Sequence, residues 1–185
     1  MNETIQTILS RKSIRAYTDA PVGDEEIATI VSCGLQAPSA TNRQPWHVTV
    51  VQNRALLDRI SAKNQELMAA SPDESTRKKA AVKNYDSFRS APMAIMVSGA
   101  NRNTNTIADC ANVTENMALA AHALGLGGCY VASFALSLNQ PDGGALKTEL
   151  GIPEEYTPLF ALCLGHAAED PAPRKRNPDV VNYVK

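Results

Sequence analysis

The chain has 185 residues, 44% of them hydrophobic and 20% charged. That is one domain with room for an arm, in a composition that builds a core without disulfides or a structural metal. A formal net charge of −1 excludes a broadly basic nucleic-acid binder. The charge is unevenly placed, however. Arg11, Lys12 and Arg15 lie near the start and Arg174, Lys175 and Arg176 near the end, leaving 12 cations against 19 acids elsewhere. These clusters are either two solvated patches or one anion site assembled from both ends of the chain.

Ile5, Ile8 and Leu9 stand at helical spacing over residues 3–10, with Asn2 as N-cap. RKSIR follows at or beyond the end of that helix. Asp24 is placed to cap a second helix whose buried stripe is Ile27, Ile30, Val31 and Leu35, with Pro38 beyond its end. PSATNRQP is a loop by composition, and HVTVVQ alternates like a strand. Residues 54–70 are helical, with Leu56, Leu57, Ile60, Leu67 and Met68. Residues 71–90 are charged and poorly periodic, so a mobile or surface segment is expected. PMAIMVSG is a buried strand. Residues 106–124 form the strongest helix, with Thr106 as its cap, Ile107 on its apolar stripe and Gly125 as its stop. It has small or apolar residues on most faces, which fits burial in the domain or at a subunit interface. Asp142 to Leu150 is a further helix, closed by Gly151 and Pro153. TPLFALCLG is the last buried strand, followed by a proline-rich basic tail ending in VVNYV. The expected class is an α+β sandwich, a small sheet flanked by helices.

Cys33, Cys110, Cys129 and Cys163 sit in apolar stretches without a C-x-x-C pair, as buried free thiols of a reducing cytoplasm would. Three histidines and no H-E-x-x-H spacing argue against zinc. No stretch has the length and apolarity of a membrane span, and MNETIQTILSRK lacks the apolar core of a signal peptide. GLGG at 125–128 is not a dinucleotide fingerprint, because a helix precedes it and a strand follows. In RKSIR, two guanidiniums and the Ser13 hydroxyl suit a phosphate, though basic clusters at helix ends also simply complement the dipole. Asn42 and Gln44 carry two amides suited to a heteroaromatic edge. The same loop also reads as an amide-rich turn with Trp46 as core anchor.

In order along the chain, these elements resemble the nitroreductase family of flavin mononucleotide (FMN) enzymes. The likeness rests on Arg11-Lys12-Ser13-Ile14-Arg15 followed by Tyr17, on Ala37 to Trp46, on the helix ending Leu124 to Gly127 with a strand after it, and on Gly165 before a tail with Arg174 and Arg176. The resemblance implies an intertwined α+β homodimer with FMN at the subunit interface, residues 1–165 forming the FMN-binding domain and 166–185 an arm that embraces the partner. It puts Arg11, Lys12, Ser13, Arg174 and Arg176 at the FMN phosphate element. Arg15 falls at the flavin N1–C2=O edge, where it would stabilise the reduced ring. Pro38, Ser39, Asn42 and Gln44 match the loop reaching in from the partner, and Tyr130, Val131, Ala132 and Ser133 the backbone facing flavin N5 and O4. Asn64 matches an asparagine on the pyrimidine edge. The chain departs from the family pattern at Lys12, where Arg, His or Tyr is frequent, and at Ala40, Tyr130 and His166, where Ser, Trp and Tyr respectively are frequent.

The implied activity is a ping-pong oxidoreductase taking hydride from NADH or NADPH and reducing electron-poor acceptors such as nitroaromatics or quinones. The chemistry belongs to the flavin and needs no side-chain nucleophile. Same-fold alternatives are a flavin dehalogenase, a flavin-degrading enzyme, or a non-catalytic FMN-binding redox protein. The expected ligands are small molecules, with no nucleic acid and no membrane.

Overall fold

The structure is a computed structural model that describes residues 2–100 and 105–185. Among the described residues it contains four strands and seven α-helices. The strands are β1 (Trp46–Val51), β2 (Met93–Ala100), β3 (Gly127–Val131) and β4 (Tyr156–Gly165), in the order β1-β2-β4-β3 and antiparallel throughout. Side chains alternate across a strand, and β2 and β4 use both faces. Met93, Ile95, Val97, Leu162 and Leu164 pack towards helices α2 (Asp24–Leu35) and α5 (Thr106–Ala123). Ala94, Met96, Ala161 and Cys163 pack towards α3 (Arg54–Ala69) and the short helix α6 (Ala135–Leu138), which has too few residues for the helical period to reveal it. The sheet is therefore sandwiched between two helical layers, as the α+β reading expects.

Local chemistry sets the helix ends. Asn2 caps α1 (Glu3–Ser10) by accepting from the Ile5 N–H at 3.0 Å. Asp24 is not a cap but the first residue of α2. Gly23 holds the cap position, and its N–H donates to Glu26 Oε2 at 2.8 Å. Ile27, Ile30 and Gly34 form the buried line of α2, and Leu35, at the helix's last position, is exposed. On α5 the cap position belongs to Asn105, and the Thr106 hydroxyl instead donates to Ala100 O at 3.3 Å. Ile107 lies outside the buried face and is exposed. Gly125, at φ 77°, closes α5 with a Schellman pair, Gly125 N–H to His122 O and Leu126 N–H to Ala121 O. The expected helix at 142–150 is shorter, a 3₁₀ turn at Pro141–Gly143 leading into α7 (Gly144–Glu149).

Residues 71–90 are more ordered than their composition suggests. Helix α4 (Glu74–Ala80) is capped by Asp73, which accepts from the Thr76 hydroxyl, the Ser75 hydroxyl and the Thr76 N–H, each at 2.7 Å. These hydrogen bonds hold the Asp73 carboxyl down at about 2. Further on, Ser87 and Phe88 are fully buried, Phe88 tilted against Phe134 with ring centroids 5.7 Å apart. A single aromatic anchor has no period, so the sequence pattern conceals it. Cys110, Cys129 and Cys163 are buried free thiols, and Cys33 is half-buried. No helix among the described residues is long and apolar enough to cross a membrane.

Candidate functional site

The RKSIR segment is extended and lies along the end of β3. The Ile14 N–H donates to Gly128 O at 2.9 Å, and Ser13 bridges Gly128 in parallel register. Ile14 is buried, so its neighbours Ser13 and Arg15 point the other way, towards the surface. Gly127 permits the approach, since a Cβ there would lie 2.9 Å from Ile14 Cγ2. The Tyr17 hydroxyl donates to Ile14 O at 2.6 Å, and burial holds its proton on well above the ordinary phenol range. Beyond Tyr17 the segment pairs with the start of the arm, Thr18 N–H to His166 O and Ala168 N–H to Ala16 O, both 2.9 Å.

A cavity of about 490 Å³ opens beside this segment. Arg15 and Ser133, far apart in the sequence, both line it, together with Lys79, Asn84, Arg89 and Ser90. Its one carboxylate, Asp86, is already committed. Asp86 Oδ2 pairs with Arg54 Nη2 at 2.6 Å, and its oxygens accept from the N–H groups of Phe88 (2.7 Å) and Ser90 (2.8 Å). Burial alone would raise the Asp86 carboxyl, but these partners outweigh it and hold it below the ordinary carboxylate range. The cavity is thus left net positive by Arg15, Lys79 and Arg89. Burial pushes the Cys129 thiol up, while the guanidiniums of Arg15, Arg89 and Arg11 pull it back.

Asn64 is not on a ligand-facing edge. It is fully buried, its amide donating to Ser87 Oγ (3.0 Å) and Phe134 O (2.8 Å), and its Oδ1 accepting from the Ser137 N–H at 2.7 Å. It ties together the segments that carry the two cavity walls, residues 84–90 and Ser133. Ala132 and Ser133 are exposed at the exit of β3. Val131 is buried with Cys129 on the α3 side, whereas the Tyr130 ring tilts against Phe160 at 5.2 Å with Thr114 nearby, on the α5 side. The Tyr130 ring therefore points away from the α3 side of the sheet.

The remaining assigned residues are not brought to the cavity within one protomer. The loop at 38–44 is anchored on α5, the Ala40 N–H donating to Asp109 Oδ1 at 3.3 Å, with Pro38 exposed and Ser39 half-buried. Ser39 Oγ accepts from the Gln44 N–H at 2.9 Å, and the Gln44 amide donates to Asn42 Oδ1 at 3.1 Å. Both amides are exposed, while Trp46 is buried in the core below them, so the anchor reading of Trp46 and the exposed amides coexist. Arg11 Nε pairs with Glu115 at 3.3 Å, and Lys12 pairs with Asp170. Arg174 and Arg176 are exposed on the arm. What touches the first cluster is instead acidic, Asp170 on Lys12 and Glu169 accepting the Arg15 N–H at 2.5 Å.

Lys79, Asn84, Arg89 and Ser90 escaped the sequence reading, which treated 71–90 as a mobile or surface segment. The available signal was NYDSFRS, where Asn, Asp and Ser around a lone Phe mark an anchored turn.

The model of the nitroreductase family matches residues 8–166. An NADPH-flavin oxidoreductase of Vibrio harveyi is 33% identical over 96% of this chain and 71% of its own length. A nitroreductase crystal structure with bound FMN from Bacteroides fragilis superposes with a TM-score of 0.93 at 27% identity, covering 100% of both chains. A second, from Desulfitobacterium hafniense and also with bound FMN, gives 0.93 at 29% identity with the same coverage.

Proposed function

Because the chain belongs to the nitroreductase family, we propose that it is an FMN-dependent oxidoreductase that takes hydride from NADH or NADPH and reduces nitroaromatics or quinones in a ping-pong cycle. The observation that carries this reading is the cationic cavity. Arg15 and Ser133 share it, as residues serving the two polar edges of one flavin must, and its only carboxylate is neutralised by Arg54. The residues fit the group: guanidinium and amide donors for the ring edge, and Arg11, Lys12 and Ser13 along one extended segment for the phosphate. When bound, FMN supplies the hydride acceptor and donor that no side chain here provides.

The protein's own work is positional and electrostatic. Ile14 and Tyr17 lock the segment that carries Arg15, so its charge is in place before the reaction. Asn64 fixes the distance between the cavity walls. The loop at 38–44 and Arg174 and Arg176 complete the site from a second copy of the chain in a homodimer. Apolar surface left uncovered on one protomer supports that assembly, with Leu9 69% and Val184 90% exposed.

The test is anaerobic absorbance. NADH or NADPH is expected to bleach the flavin bands, and a quinone or nitroaromatic to restore them. Arg15→Ala is expected to slow bleaching by about tenfold or more, in line with loss of one preorganised charge. Flavin that stays oxidised with both donors would leave a binding protein and not an enzyme.

A further inference from the structure

Among the described residues, six that are not glycine hold positive φ: Thr41, Asn42 and Gln44 on the amide loop, and Asn84, Arg89 and Ser90 on the cavity wall. This backbone region is unfavourable for residues with a side chain, least so for Asn, and persists only where the surroundings over-determine it. Around Arg89 (φ 59°) those surroundings are visible. Phe88 and Ala91 are buried on either side, Asp86 grips the N–H groups of Phe88 and Ser90, and Arg54 Nη1 donates to Ala91 O at 2.7 Å. The effect is to hold Arg89 in the cavity lining. Its guanidinium has five N–H donors and offers a planar fork.

Resting on the FMN reading, we infer that Arg89 is a second cation for the flavin ring, sharing with Arg15 the negative charge that reduction adds, and that Asn84 gives its amide to the ring's polar edge. The ring and not the phosphate is the partner, because this cavity also holds Ser133 and Arg15. A planar fork suits in-plane ring acceptors, and a fixed cation favours whichever redox form carries more negative charge.

The test titrates flavin-free protein with FMN and measures the midpoint potential of the complex. In Arg89→Gln, affinity for reduced FMN is expected to fall about tenfold more than affinity for oxidised FMN, a drop of about 30 mV for a two-electron couple. Arg89→Lys restores most of it. Arg89→Gly accommodates the left-handed backbone, so it is expected to raise the melting temperature of the flavin-free protein while lowering the potential like Arg89→Gln. Asn84→Gly keeps the turn and weakens both redox forms equally. FMN bound by Arg89→Gln or Arg89→Gly at the wild-type potential overturns the role of Arg89, and unchanged affinity in Asn84→Gly overturns that of Asn84, with the FMN reading intact. Wild-type protein that takes up no FMN overturns the reading beneath both.

Discussion

Asp86 has three tasks at one carboxylate. It neutralises Arg54, fixes the turn that presents Arg89, and withdraws its own negative charge from the cavity. Its side chain is only 12% exposed, so Asp86→Asn is expected to cost about 1–3 kcal/mol at pH 7, as lost charged hydrogen bonds in a half-buried setting do. The sign with pH follows from its lowered folded value. The stabilisation is complete above the unfolded carboxylate value near 4 and is lost as pH falls through the lower folded one. Denaturant melts of wild type and Asp86→Asn should therefore converge below about pH 4. A gap of constant size from pH 7 to pH 3 would show that the carboxylate charge is not what holds the turn. Legibility at this scale was mixed. Arg15 and Ser133 lie in motifs of the resemblance, and the fold brings both to one cavity. Asn64 lies buried, which the sequence does not reveal because a buried amide and a ligand-facing amide look alike there. Arg89 carries no sequence signal because its place in the cavity lining depends on backbone conformation.

Strong periodicity made most elements legible. Strand β1 stands where alternation puts it, β2 and β4 where continuous apolar runs do, and helices α2, α3 and α5 where a 3.6-residue period puts them. The segment at 71–90 failed that test, since its order comes from Asp73, Asp86 and Phe88 acting singly. Helix α1 shows the opposite limit. Its period was read correctly, yet Ile5, Ile8 and Leu9 face outward, so amphipathicity identified an apolar face without telling what it packs against. Ile8→Glu with Leu9→Glu is expected to shift sedimentation from dimer to monomer, leaving the far-ultraviolet dichroism largely intact. A double variant that sediments like wild type would remove α1 from the interface.

At the scale of the molecule, the two end clusters of charge do not meet within one protomer. The first is engaged by Glu115, Glu169 and Asp170, while Arg174 and Arg176 stay exposed on the arm. The sequence proposes that both serve one phosphate, and in the proposed homodimer the arm of one copy would reach the first cluster of the other. Arg11→Ala combined with Arg176→Ala is expected to give protein largely free of flavin. Full occupancy in that variant would dissolve the two-ended site. The central claim is simpler and is tested by absorbance of the purified wild-type protein after incubation with FMN and gel filtration. The account predicts oxidised-flavin bands at about one FMN per chain, as a site repeated by two-fold symmetry requires. Colourless protein, at any FMN concentration supplied, would contradict it.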